Sequence, residues 1–203
     1  MNYYFVSRKY YDAYSRQFIC ISYFLALSAV LMPISWLLRN SLPIAFHALL
    51  FVWGWLGWTF VEYMSHRFWM HGKAYSGAKT DFNHMHHHSH PTEIRVKPVH
   101  RIVLGLVSTV LTLTALHLQN YFTMVNGFFF GFTLYFYMHY FLHQAWASKF
   151  IGRLQDYHIY HHCKYPNRCF GVTITWWDRV FKTTPPMGAN VPKKTRDFYF
   201  GRT

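Results

Sequence analysis

Charge is what this sequence has least of. Only 13% of its 203 residues are charged, and seven of them are acidic, against about 25% charged in an average soluble domain. With 52% hydrophobic and 22% aromatic residues, the chain fits neither an ordinary globular domain nor a disordered one. Cysteine is scarce as well. Cys20, Cys163 and Cys169 make no disulfide framework and read as free thiols facing a reducing compartment. There is no Gly-rich dinucleotide fingerprint, no nucleic-acid motif despite a net charge of +13, and no internal repeat. A Glu-x-x-His pair, the signature of soluble carboxylate-bridged di-iron bundles, is also missing. Nucleotide-dependent and nucleic-acid-binding functions are therefore set aside.

The charge that is missing is missing in blocks. Residues 17–38, 40–61 and 102–148 carry no Asp, Glu, Lys or Arg. About 20 apolar residues span a bilayer core of roughly 30 Å, so the first two runs fit one crossing each and the third fits two. The expected helices are 17–38, 43–65, 101–118 and 122–145. The first run lacks a small-residue cleavage site and reads as a membrane helix, not a signal peptide. Residues 1–16, rich in tyrosine, suit a segment lying at the membrane surface. Four crossings place residues 1–16, the 66–101 loop and the 146–203 tail on one side. Nineteen of the twenty basic residues fall there, with Arg39 alone opposite. The positive-inside rule makes that side cytoplasmic. The expected fold class is an all-α integral membrane protein: four transmembrane helices in a single domain, 1–203, with a cytoplasmic histidine-rich cap and both termini cytoplasmic. Gly127 with Gly131, and Gly54 with Gly57, read as close helix packing.

Fifteen histidines are present, and most gather at the expected cytoplasmic helix ends and in the segments beyond them. His66 and His71 end the second helix, and His139 and His143 end the fourth. His84, His86, His87, His88 and His90 lie in the loop, and His158, His161 and His162 in the tail. On a helix, positions i and i+4 share a face, so His139 and His143 aim at one point. His84, His87 and His88 form a stripe at i, i+3 and i+4, and so do His158, His161 and His162. Five residues turn a helix by about 500°, which leaves His66 and His71 roughly 140° apart. Either the helix unwinds before His71, or the two rings serve different metals; the second option is favoured. Imidazole suits zinc, copper, iron and nickel. Ten converging histidines supply two ions with four or five ligands each, a dinuclear site made almost wholly of histidine. The candidate ligands are His66, His71, His84, His87, His88, His139, His143, His158, His161 and His162. Glu62, one turn before His66, is read as orienting a ligand histidine or facing a polar cavity. His86 lies off its stripe and takes a supporting or solvent role, as does His90. His47, His100 and His117 are read as bystanders.

The ordered motifs, H-x4-H (His66, His71), H-x2-HH (His84, His87, His88), H-x3-H (His139, His143) and H-x2-HH (His158, His161, His162), resemble those of the membrane-bound fatty acid hydroxylase family. That family also contains sterol desaturases and sterol methyl oxidases. The approach to the first box, Glu62-Tyr63-x-x-His66-Arg67-Phe68, resembles the fatty acid 2-hydroxylase branch. Phe170-Gly171-Val172-Thr173 followed by Trp177-Asp178-Arg179-Val180-Phe181 resembles the family's closing motif. The likeness runs over about residues 45–183. Met85 stands where the branch usually has glycine in its second box. Glu93, Arg95 and Lys97 alter the segment that follows, which bears on head-group recognition.

The resemblance implies two iron ions (zinc being a possible substitute in purified protein), O2 activation and attack on an unactivated C–H bond. The expected function is hydroxylation of a lipid acyl chain, with 2-hydroxylation of a fatty acyl or sphingolipid chain foremost. A sterol, carotenoid or other alkyl-lipid hydroxylase or desaturase is the alternative, and a metal-transport or metal-storage membrane protein the remote one. A transporter would carry ionisable residues along the bilayer midplane, where these segments are apolar. The chain is expected to bind no heme or nucleotide. Its electrons are expected from a separate reductase with a cytochrome b5-like or ferredoxin-like carrier, steered by the basic face. The expected location is a bacterial inner membrane, in preference to the endoplasmic reticulum.

Overall fold

The computed structural model describes residues 43–71, 84–92 and 122–202, with scattered positions between 22 and 37 and Leu106. The expected helices over 17–38 and 101–118, and the surface segment 1–16, fall almost wholly outside these residues. The described residues are helical and contain no strand. In chain order they form α1 (Ile44–Met64), a π-helical continuation (Ser65–Met70), α2 (His84–Ser89), α3 (Phe122–Leu142), a 3₁₀ turn (Ala145–Ala147), α4 (Ser148–Cys163), α5 (Trp176–Val180) and α6 (Lys193–Tyr199). α1 and α3 match the second and fourth expected helices to within a few residues. Ile44–Met70 is long and apolar enough to cross a membrane, and Ile44, Leu49, Val52 and Trp53 on it are exposed.

The chain divides into two compact units: Met1–Trp58 with Arg95–Thr133, and Thr59–Ile94 with Leu134–Thr203. In the first unit α1 packs against the start of α3 through glycine. A Cβ on Gly54 would overlap the Met124 carbonyl, and one on Gly127 would overlap the Phe51 carbonyl. The two backbones therefore touch where side chains would hold them apart. Aromatic rings fill the space around this contact. Trp58 lies edge-on to Phe128 and Phe132, with centroids 5.3 and 4.6 Å away. Buried His47 shares a 3.1 Å hydrogen bond with Thr123 through Nδ1, a local pairing that needs no metal.

In the second unit the last turns of α1 meet the closing segment. Trp177 donates its indole N–H to Thr59 (3.1 Å) and packs edge-on against Phe60, while Tyr63 stacks on Phe181 at 5.2 Å. Helix ends leave carbonyls without partners. Fully buried Gln155 of α4 meets that need for α3, donating to the carbonyls of Leu142 (3.1 Å) and Gln144 (2.9 Å). This fixes the end of α3, which carries His139 and leads into His143, against α4, which carries His158, His161 and His162.

Gly127→Ala should destabilise the protein by about 1–3 kcal/mol through overpacking. Gly57→Ala, whose Cβ would lie 3.7 Å from Phe128, should be neutral or slightly stabilising. Unfolding of both variants in detergent measures the contrast.

Candidate metal centre

The two histidines of the first motif reach one place because the helix changes its winding between them. Ser65–Met70 is π-helical, and the His71 amide donates to the His66 carbonyl over five residues, at 3.3 Å. The wider turn brings residues five apart back toward one face. This corrects the expectation that His66 and His71 serve different metals. Their ligand atoms belong to one set, with His84, His88 and His161. A second set joins His87, His139, His143 and His162. In each set the ligand atoms all lie within 4.8 Å of one another. His158 stands beside the second set, its Nε2 3.2 Å from that of His143.

The two H-x2-HH motifs divide by helical geometry. Positions i and i+4 differ by about 40° around a helix, whereas neighbours differ by about 100°. On α2, His84 and His88 enter the first set and His87 the second. On α4, His158 and His162 lie at the second set and His161 in the first. Each adjacent His-His pair thus straddles the two sets, and a single short helix serves both. The stripes expected from spacing are each split in this way.

The nitrogens meet in a manner that calls for a cation. His66 donates its Nδ1 proton to the Phe170 carbonyl (2.6 Å), and His161 donates its own to the Arg168 carbonyl (2.7 Å). A carbonyl only accepts, so in the neutral rings both Nε2 atoms are bare lone pairs. The Nε2 of His66 faces that of His84 at 3.0 Å, and that of His161 faces that of His71 at 3.0 Å. The Nε2 of His84 also faces that of His88 at 3.1 Å, so one proton on His84 could serve only one of its two neighbours. In the second set His87 and His139 meet at 3.2 Å, and both ring nitrogens of buried His162 lack a hydrogen-bond partner. With metal–nitrogen bonds of about 2.0–2.1 Å, two ligands on one ion sit roughly 2.9–3.4 Å apart. Each of these separations falls in that window, so the residues fit a metal ion in each set.

The rings are also kept neutral. Burial pushes His71 down to about 4. Burial, aided by neighbouring His71 and His66, pushes His88 down to about 2. His84, His158, His161 and His162 are held well below the ordinary range by burial first and by surrounding histidines second. Only the neutral form offers a lone pair to a metal.

The loop that accepts the His66 proton, just after Arg168, is itself held by two buried carboxylates. Glu62 accepts from the amides of Val172 (2.8 Å) and Thr173 (2.9 Å) and from the Thr173 hydroxyl (2.6 Å). The hydrogen bonds described for Glu62 all go to this loop, so it acts on His66 through the backbone that carries the Phe170 carbonyl. Asp178 accepts from the amides of Phe170 (2.9 Å) and Gly171 (2.8 Å) and from the Thr183 hydroxyl (2.7 Å). Arg67 donates to Tyr63 and Tyr63 pairs with Thr183, both at 2.9 Å, which extends the chain of hydrogen bonds back to α1. Burial raises the Asp178 carboxyl against the pull of these donors. Sequence reasoning gave no role to Phe170, Arg168 and Asp178 individually, although the closing motif contains two of them. The side chain of His86 and the residues His100 and His117 lie outside the described residues, and His90 is exposed.

A model of the fatty acid hydroxylase family matches residues 50–183. Two dihydroceramide fatty acyl 2-hydroxylases of Arabidopsis thaliana are similar to this chain. One is 31% identical over 161 residues, which cover 71% of this chain and 64% of the relative. The other is 33% identical over 153 residues, which cover 68% and 60%. The ceramide very long chain fatty acid hydroxylase of Saccharomyces cerevisiae is 30% identical over 171 residues, covering 75% of this chain and 44% of that protein. The chain thus spans less than two thirds of these relatives' length. A solved structure described as full-length scs7p, with only its hydroxylase domain visible, superposes with a TM-score of 0.66 at 26% identity, over 87% of this chain and 69% of that one.

Asp178→Ala strands two buried amides, each worth about 1–3 kcal/mol when unpaired. It should also lower metal affinity roughly 10–100-fold, as loss of a ligand's supporting partner does; metal titration of the folded variant reads this. The acid response has a fixed sign. Unfolded histidines bind protons below about 6.5, while His71 and His88 in the folded chain refuse them until about 4 and about 2. Chelator-stripped protein should therefore be most stable above about pH 6.5 and lose stability as pH falls from there toward the folded values. A denaturation midpoint no lower at pH ~5.5 than at pH ~7.5 would contradict this.

Proposed function

The chain belongs to the fatty acid hydroxylase family, and from that premise we propose that it is a membrane di-iron oxygenase that hydroxylates a lipid acyl chain. The observation that carries the reading is the convergence of histidine nitrogens into two sets, in a chain whose relatives are named as dihydroceramide fatty acyl 2-hydroxylases and a ceramide very long chain fatty acid hydroxylase. Hydroxylation at the 2-position of a fatty acyl or sphingolipid chain is the specific activity proposed.

His66, His71, His84, His88 and His161 would hold one iron, and His87, His139, His143, His158 and His162 the other. When bound, the pair supplies the capacity to activate O2 toward an unactivated C–H bond. The chain's own contribution is positional. The Phe170 and Arg168 carbonyls set the tautomers of His66 and His161, and Glu62 and Asp178 hold residues 170–173, which carry the first of these carbonyls. Burial of His158, His161 and Asp178 keeps bulk water from the reacting centre.

The 203 residues act as one membrane domain crossing the bilayer four times, with the histidines and both termini cytoplasmic, in a bacterial inner membrane. The one-sided distribution of basic residues supports the cytoplasmic side, and the apolar Ile44–Met70 helix supports a membrane crossing. About 20 residues from Ile44 cross the hydrocarbon, which brings His66 and His71 to its edge, where an acyl tail arrives from the membrane. Electrons come from a separate carrier.

Lipids extracted from cells grown under labelled oxygen, with and without the protein, test the activity by mass spectrometry. A labelled 2-hydroxyacyl product is expected; a labelled sterol or carotenoid would move the reading to another branch. His139→Ala should abolish the product and lower metal content while the protein still inserts, and His47→Ala should retain activity. Normal hydroxylation by the first variant would refute the ligand assignment.

A further inference from the structure

Tyr199 lies outside the segment matched by the family model, which ends at residue 183, yet its ring is built into the second histidine set. It is 1% exposed and stacks on His143 at 4.8 Å between centroids and 22° between planes. It also lies 5.5 Å from the His162 ring, nearly perpendicular to it, and 6.4 Å from that of His158. The ring therefore covers three histidines contributed by the turn after α3 and by α4.

The segment that carries Tyr199 is fixed at both ends. Arg196, one turn earlier on α6, grips Asp156 of α4 with both guanidinium nitrogens, at 2.6 and 2.7 Å. Asp156 lies two residues before His158, so this fork joins α6 to the turn of α4 that presents the second set. After the helix, Gly201 takes a positive φ of 64°. A Cβ there would come within 3.1 Å of Thr92, just beyond the α2 histidines. α6 is thus tied to α4 and its end lies close to the residues that follow α2, two of the three elements that feed the set.

We propose that Tyr199 is a positioning residue for the second metal set, holding the His143 ring at its binding angle by stacking and closing that set from water. The inference rests on the dinuclear reading above. It assigns to α6 a stronger hold on one of the two ions than on the other. In the first set (His66, His71, His84, His88 and His161), His66 and His161 are oriented by the Phe170 and Arg168 carbonyls, and the ring contacts described for Tyr199 reach none of its members.

Detergent-purified full-length protein, stripped with chelator and titrated with cobalt(II), tests this through the ligand-field absorption and the ion count per chain. Wild type and Tyr199→Phe should take two ions. Tyr199→Leu, which keeps apolar bulk but lacks a flat ring, should take one ion normally and bind the second at least tenfold more weakly, with altered absorption for that ion alone. Arg196→Gln, which leaves the ring in the chain and loosens its anchor, should weaken the second ion in the same selective way. Wild-type affinity for both ions in Tyr199→Leu and Arg196→Gln, or equal weakening of both ions, would overturn the proposal. A wild-type protein that takes fewer than two ions would overturn the dinuclear reading itself.

Discussion

Two backbone carbonyls, those of Phe170 and Arg168, decide where the protons sit on His66 and His161, and the rest of the centre depends on that choice. A neutral imidazole has one proton and one lone pair. Fixing the proton outward on Nδ1 leaves Nε2 bare and pointing inward, where it faces other histidine nitrogens at 3.0 Å. Burial disfavours adding a proton to the rings, and one proton on His84 serves only one of His66 and His88, so neutral tautomers leave facing lone pairs unpaired. A site of this kind holds an electrostatic debt that a cation settles.

Holding the Phe170 carbonyl in place accounts for much of the second unit's polar architecture. The loop from Cys169 to Thr173 lies among helices and exposes its amides to the interior. Glu62 and Asp178, two of only seven acidic residues, accept four of those amides between them. Buried carboxylates are costly unless they are fully hydrogen-bonded, and here each accepts three donors. In a chain so poor in acid, both are spent on the backbone that orients the histidines and neither on a histidine directly.

The metal-facing geometry relies on departures from regular α-helix. A regular helix would turn His71 away from His66; the π-helical turn at Ser65–Met70 brings them together. Conversely, regular geometry on α2 and α4 separates adjacent histidines by about 100° and so feeds two sets from one short segment. One deviation and one regularity together let four stretches of sequence serve two sets.

The helical class, the places of α1 and α3, and the gathering of histidines at helix ends could be read from the sequence, because apolar runs and residue spacing are local properties. The same local reading named the ten histidines whose nitrogens the structure brings together or, for His158, beside the second set. It did not divide them. Helical periodicity assumes a uniform winding, and the π-turn breaks that assumption between His66 and His71. Which histidine joins which set, and why Glu62 is buried, depend on contacts across long separations, such as His66 with Phe170 and Glu62 with Thr173. Tyr199 carries no motif at all. Only the folding of α6 onto α4, fixed by Arg196 and Asp156, brings its ring to His143, because tertiary packing alone decides which distant side chains share a site.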